Sequence, residues 1–250
     1  MHEKTGPWVP LEALPEERRW LWLVVAAWSA VCFGGGLVDA LRPGSWRARG
    51  LVPGFFQDYA SARNFFAGTP IYTKHDATLP LYLGSGARRM ATPVVVNAHP
   101  PPSVLLVLPL ARLQFDNALF VWNLVSLVTL VVSLRLVQRG LRIPLSVWSL
   151  APLTSLVVTC APLLEQIRQG QQSLALLLLL TGAWSADRSG RDRLAGCMIG
   201  AATAIKLFPG FLLLYYAWRR RWRVVAAGFI VLAALCFATV AILGAESFRD

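Results

Sequence analysis

Seven apolar runs, with short clusters of arginine in three of the breaks between them, set the plan of this 250-residue chain. Trp20 to Val38 runs about 19 residues without a charge, long enough to cross a hydrocarbon core of about 30 Å. The later runs are Ala118–Leu134, Pro144–Leu164, Ser173–Ala186, Leu194–Ile205, Phe208–Trp218 and Val224–Leu243. Between the first run and the rest lies the long polar stretch Asp39 to Pro100, rich in Gly, Pro and aromatic residues. It reads as one folded loop with short helices. Pro100-Pro101-Pro102-Ser103 then opens a helix to about Leu113, since proline suits the first helical turn. About 12 residues rise only about 18 Å, so this helix is expected to be juxtamembrane or half-inserted.

The breaks between runs carry the topology. Arg135, Arg139 and Arg142 fill one; Arg188, Arg191 and Arg193 another; Arg219, Arg220, Arg221 and Arg223 a third. Short arginine-rich loops belong in the cytoplasm. All three can lie there only if the Pro101 helix does not span and Lys206-Leu207-Phe208-Pro209-Gly210 is an outer turn. The expected fold is therefore all-α, a polytopic membrane helix bundle of about seven transmembrane helices. Residues 1–19 form a cytoplasmic N-terminal segment and residues 20–245 the transmembrane module. Residues 39–113 make its folded outer loop, with juxtamembrane helices, and Glu165–Gln172 a second outer loop. The site is the cytoplasmic membrane, with the N-terminus inside. A rival plan makes Leu194–Trp218 one helix. It strands Lys206 near mid-membrane, at a cost of about 2.5–3.5 kcal/mol, and needs the Pro101 helix to span. Arg18-Arg19 ahead of the first run also fits a secretory signal. The run is long for one and further spans follow, so an uncleaved first helix is expected.

Composition sharpens this picture. Hydrophobic residues make up 56% and charged residues 15%, against about 45–50% and about 25% in ordinary soluble domains. Disordered proteins, coiled coils and typical cytosolic enzymes are excluded. Ten tryptophans suit anchoring at two bilayer interfaces. The net charge of +11 reads as the positive-inside bias, because the arginines end apolar runs instead of covering one surface; no nucleic-acid partner is expected. Cys32, Cys160, Cys197 and Cys236 lie inside apolar segments without metal-like spacing and are expected to be buried thiols. There is no glycine-rich phosphate loop and no zinc spacing, so neither cofactor nor metal is expected.

Four polar features stand out against this background. Phe55 to Phe66 has helical spacing, with Phe55, Tyr59, Ala62 and Phe66 on one face, Gly68 suited to the C-terminal cap and Pro70 stopping the helix. Asp58 is then a lone carboxylate near the helix start, either a charge favoured by the helix dipole or a functional group. Glu165-Gln166-Ile167-Arg168-Gln169-Gly170-Gln171-Gln172 is either a solvated turn or a row of polar groups lining a cavity. Lys206, between Ile205 and Leu207, either snorkels or binds phosphate. His99 before three prolines either orients a substrate or is a capping or interfacial residue.

The order of these features resembles a known family. An acidic residue soon after the first span, then the aromatic and alanine of Asp58, Tyr59 and Ala62, precede Gly68, Pro70 and Tyr72. His99-Pro100-Pro101, Gly170-Gln171, Lys206 with Pro209, and Arg219–Arg223 follow. Together, over about residues 20–245, these resemble glycosyltransferase family 87, polyprenyl-phosphate-sugar-dependent mannosyltransferases of the GT-C fold. Where the family tends to carry Asn after Gly-Gln, this chain has Gln172-Ser173. Family members continue with further spans, so the chain resembles the seven-span N-terminal module, as a piece of a longer enzyme or a minimal form.

The resemblance implies transfer of a hexose, mannose by family habit, from a polyprenyl-phosphate donor to a lipid or glycan acceptor on the outer face of the cytoplasmic membrane. It implies Asp58 as general base and inversion at C1. Lys206 and Arg63 are then candidates for the donor phosphate, and Tyr59, His99, Glu165, Gln169 and Gln171 for contacts to substrate. Two other classes compete. A transporter or flippase needs inverted repeats or paired broken helices, which the sequence does not display. A membrane scaffold or inactive subunit needs only the bundle.

Overall fold

The computed structural model describes residues 16–92, 95–142, 153, 155–157 and 159–248. Helices dominate, and among the described residues the one piece of β pairing is an isolated bridge between Leu51 and Ala91. In chain order the helices are α1 (Glu16–Leu41), α2 (Ser45–Ala48), α3 (Phe55–Ala67), α4 (His75–Leu83), α5 (Pro101–Val107) and α6 (Phe115–Leu141). After them come α7 (Ala161–Gln169), α8 (Ser173–Arg188), α9 (Asp192–Ile205), α10 (Phe211–Trp218) and α11 (Trp222–Leu243).

Three helices are long and apolar enough to cross a membrane: Leu23–Leu41 within α1, Phe115–Leu141 and Trp222–Leu243. They leave many large apolar side chains outward, including Trp28, Val31, Leu124, Val128, Ile230 and Phe237, as a lipid-facing surface requires. The 16 residues of α8 and 14 of α9 rise only about 24 and about 21 Å.

Close contacts give the directions of these helices. A Cβ on Gly196 would lie 2.1 Å from the Val224 carbonyl oxygen, and one on Gly200 2.2 Å from that of Gly228. Residue numbers rise together on both helices, so α9 and α11 run parallel, with backbones too close for any side chain at either glycine. Parallel neighbours in one chain need a return, and α10 provides it. Likewise Gly170 meets Leu119 and Gly140 meets Trp184, so α6 and α8 also run parallel. The turns at Arg188–Arg193 and Arg219–Arg223 and the tail of α6 with Arg139 and Arg142 therefore share one end of the bundle. Arg221 fastens two of them, pairing with both Asp187 and Asp192 while its guanidinium lies over the Tyr216 ring. These two carboxylates raise the Arg221 pKa above its ordinary value, the hydrogen bond it donates to Asp192 most of all.

At the other end sits a layer built from α2 to α5. Its core is aromatic: Trp46, Phe55, Phe56, Tyr59, Phe115 and Trp122 are buried together. Phe115, the first residue of α6, meets Trp46 and Tyr59 edge-on at 5.4 and 5.3 Å. Leu243, the last residue of α11, packs on the same cluster, so α11 also reaches this layer.

Several expectations need correction. Arg135 and Arg139 lie on the last turns of α6, which continues to Leu141 instead of breaking at Leu134; long arginine side chains reach past an apolar span without ending it. Glu165 to Gln169 are helical, in α7, and the turn is confined to Gly170–Gln172, because Gly170 at φ 59° caps the helix in the left-handed region. The Pro101 helix stops at Val107, with a 3₁₀ turn at Leu110–Arg112. α3 is not amphipathic in the expected way. Every residue from Phe55 to Ala62 is buried, whereas Phe66 is exposed, because α4, α5 and α6 all pack on it. The cysteines are free, but Cys32 is exposed and the others are partly so, since an apolar helix here faces outwards as often as inwards. Most of the Pro144–Leu164 run lies outside the described residues.

Candidate active site

Asp58 is held in the layer by four side chains. Its Oδ1 accepts from Asn97 Nδ2 at 3.2 Å, Ser103 Oγ at 3.2 Å and His99 Nδ1 at 3.1 Å. Its Oδ2 accepts from His99 Nδ1 at 2.9 Å and Gln172 Nε2 at 2.9 Å. The carboxylate side chain is 2% exposed and the imidazole 14%. A buried carboxylate is tolerated only with this density of donors.

The local sequence explains how the donors arrive. α3 ends in a Schellman cap: Thr69 N donates to Asn64 O and Gly68 N to Phe65 O, with Gly68 at φ 68°. The chain then doubles back along α3, tied by Asn64 Nδ2 to Pro70 O and Ser61 Oγ to Ile71 O. Tyr72 thereby reaches the segment ahead of α5, where its hydroxyl donates to His99 O at 2.9 Å. Gln57 Oε1 accepts from Ala98 N and Asn97 Oδ1 from His99 N. Pro101 and Pro102 start α5, which brings Ser103 onto the carboxylate. Gln172 is the N-terminal cap residue of α8, so the bundle itself contributes one donor.

Of the residues singled out in the sequence, the structure brings Asp58 and His99 together and places others elsewhere. Tyr59 faces the aromatic core, its hydroxyl donating to Leu113 O at 2.8 Å. Arg63 donates to Ala111 O and lies over the Tyr82 ring at 5.4 Å. Burial raises the phenol pKa values of Tyr59 and Tyr82, with Arg63 opposing the rise in both. Gln169 Oε1 accepts from Gly54 N at 3.0 Å and so ties α7 to the start of α3. Glu165 is exposed, accepting from Gln169 Nε2. The Gln171 side chain is exposed, beside Gly54. Lys206 follows the last residue of α9, with Leu207 and Phe208 exposed beyond it. Ile205 packs with Leu176, one turn along α8 from Gln172, which sets Lys206 at the Asp58 end of the bundle. It makes no ion pair or side-chain hydrogen bond among the described residues.

Asn97, Ser103 and Gln172 were not among the sequence candidates. Asn97 and Ser103 flank the His-Pro-Pro motif by two residues, a proximity that could have flagged them. Gln172 directly follows the Gly170-Gln171 pair that the sequence reading picked out, and its amide is a donor to the carboxylate. Among the described residues no group of three or more His, Cys, Asp or Glu is placed to hold a metal.

Membrane-length helices under a polar layer with a bonded carboxylate–histidine pair define a polytopic membrane protein with an enzyme-like centre. The chain belongs to glycosyltransferase family 87, whose model matches residues 97–250. His99, Gln172 and Lys206 fall within that stretch, and Asp58 precedes it. A polyprenol-phosphate-mannose-dependent alpha-(1-2)-phosphatidylinositol pentamannoside mannosyltransferase of Mycolicibacterium smegmatis is 32% identical over 157 residues. The alignment takes in 60% of this chain and 36% of that protein. A polyprenol-phosphate-mannose-dependent alpha-(1-2)-phosphatidylinositol mannoside mannosyltransferase of Mycobacterium tuberculosis is 29% identical over 180 residues, 64% of this chain and 40% of the relative. The chain thus matches well under half the length of each of these relatives. No solved structure matches it.

Proposed function

We propose that this chain carries the catalytic centre of a membrane glycosyltransferase that moves a hexose, mannose, from a polyprenyl-phosphate donor to a lipid or glycan acceptor. The observation that carries this reading is the Asp58 cluster: a buried carboxylate, fixed by donors from three parts of the chain, in a family of glycosyltransferases. A base at this centre removes the acceptor hydroxyl proton as the oxygen attacks C1, and the carbon passes through an oxocarbenium-like state. Single displacement inverts the anomeric centre. The leaving polyprenyl phosphate gains charge as the bond breaks, and an unpaired cation at the same end of the bundle, Lys206, suits that oxyanion. Arg63, engaged by Ala111 O and two tyrosine rings, is the weaker candidate.

The reading extends to the membrane. Arginine clusters at one end and the Asp58 layer at the other support an N-terminus inside, with residues 39–113 on the outer face of the cytoplasmic membrane. Residues 20–245 act as one transmembrane module.

Membranes carrying the chain, given polyprenyl-phosphate mannose and a phosphatidylinositol mannoside acceptor, test the assignment. Asp58→Asn keeps the size of the side chain and loses its charge, and transfer should fall at least about 10²-fold at unchanged expression. Lys206→Met should weaken kcat/KM for donor and leave acceptor KM alone. Near wild-type transfer by Asp58→Asn overturns the catalytic assignment.

A further inference from the structure

At the arginine-rich end of the bundle the chain makes the same turn twice. After α8, Gly190 N donates to Asp187 O at 3.0 Å and Arg191 N to Ala186 O at 2.9 Å. After α10, Arg220 N donates to Ala217 O and Arg221 N to Tyr216 O, both at 2.9 Å. The residues that open the next helices match as well, with Arg191 at φ −90°, ψ 65° and Arg221 at φ −88°, ψ 66°. One position differs. The left-handed residue is Gly190 at φ 69° in the first turn and Arg220 at φ 55° in the second. Glycine takes that conformation freely, and a residue with a Cβ takes it at a cost. Among the described residues the one other non-glycine with positive φ is also an arginine at this end, Arg142 at φ 57°. An arginine standing where glycine fits better calls for a use of its side chain.

Such a use is within reach. A cavity of about 370 Å³ lies at the second turn, lined by Arg220, Arg221, Arg223, Trp222 and Asp192. Asp192 is the one carboxylate in its wall, and Arg221 holds it together with Asp187. Arg220 and Arg223 are exposed, and their side chains make no ion pair or hydrogen bond among the described residues. The cavity therefore offers two free guanidinium forks beside a negative charge that is already paired. Such a fork matches two oxygens of a phosphate. Trp218 and Trp222, 81% and 63% exposed, flank the turn and mark the level of lipid headgroups at the start of the membrane-length α11. A general bias of positive charge to one side of a membrane needs neither a concave surface nor a left-handed arginine.

We propose that this cavity is a phosphate-binding site that takes the phosphodiester head of an anionic phospholipid, held by Arg220 and Arg223. It lies at the opposite end of the bundle from Asp58 and is independent of the transferase reading. A lipid seated there ties the α10–α11 turn to the bilayer surface.

Native mass spectrometry of the full chain in non-ionic detergent tests this without any turnover. Phosphatidylglycerol should bind at least about tenfold more tightly than phosphatidylcholine with the same acyl chains. The double variant Arg220→Gln with Arg223→Gln should lose that preference. Arg135→Gln with Arg139→Gln removes the same charge from the same end, outside the cavity, and should keep it. Equal loss in both pairs would reduce the effect to bulk charge and overturn the site, as would an absence of preference in the wild type. Arg220→Gly checks the fold. Relieved of the left-handed arginine, it should hold or raise the lipid-free thermal midpoint while its affinity for phosphatidylglycerol falls. A lower midpoint with unchanged affinity would make Arg220 a residue of the turn itself and overturn its role here. Inorganic phosphate separates the sources of the ligand. If it raises the midpoint of the wild type as far as phosphatidylglycerol does, and not that of the double variant, the lipid assignment falls and the site belongs to a free anion.

Discussion

The α2–α5 layer and the α8–α11 bundle hold together by different means. In the layer, polar side chains reach across the chain: Asp58, Asn64, Asn97, Tyr72 and Tyr82 bond partners up to 45 residues away, around a cluster of edge-on aromatic rings. Gln172 extends the reach to 114 residues. In the bundle, Ser and Thr hydroxyls mostly fold back on their own helix, as Thr181 and Thr203 do, and helices meet through Gly196, Gly200 and Gly228. The solvent explains the contrast. Lipid gives little hydrophobic drive between helices, so close backbone approach through small residues supplies the contact. The layer can exclude water from a large apolar core, and it uses directional bonds to fix a site.

Substitutions should therefore damage one region and spare the other. The largest effect is expected from Phe115→Ala, which removes the ring shared by Trp46, Phe55, Phe56 and Tyr59. A loss of about 3–5 kcal/mol should appear as faster hydrogen exchange in peptides from residues 50–113, with peptides from α9 and α11 little altered. Uniform loss of protection would mean that the two regions are one cooperative unit. Next comes Gly200→Ala. The new Cβ meets the Gly228 carbonyl, which is backbone and cannot step aside, so the helices must separate at a cost of about 1–3 kcal/mol. Exchange should rise in α9 and α11 first; an unchanged thermal midpoint would show that this approach is not tight. Smallest is Tyr72→Phe, which deletes one hydrogen bond to His99 O, worth about 0.5–1.5 kcal/mol. Hydrogen exchange in the segment around residues 97–103 should quicken slightly, and the thermal midpoint should hardly move.

The same contrast governs what could be read from the sequence. The bundle was legible because its signals are local. Apolar length marked α1, α6 and α11, and the Lys206–Gly210 break between α9 and α10 followed from demanding that three basic clusters share one side. The exact ends were less so: nothing local says that α6 carries Arg135 and Arg139 as helix. In the layer, Asp58, His99 and the Gly68 cap could be singled out by type and spacing. Their bonding could not, because Gln172 lies 114 residues from Asp58 along the chain. Tyr59 and Arg63 share a helix with Asp58, and helical rotation turns them into the aromatic core instead. The separation of Asp58 from His99 by 41 residues hides from any local pattern the pairing that matters most.

Gln172 is both the first-turn cap of α8 and a ligand of the Asp58 carboxylate, and α8 is only about 24 Å long. Where such a helix crosses a bilayer of about 30 Å, lipid must thin around it or draw it along the membrane normal, at a fraction of a kcal/mol per ångström of mismatch. That pull acts on the helix whose cap holds the proposed catalytic centre. Membrane thickness thus becomes a mechanical input to the site, and transfer rates measured in bilayers of graded acyl length should pass through an optimum on the thin side.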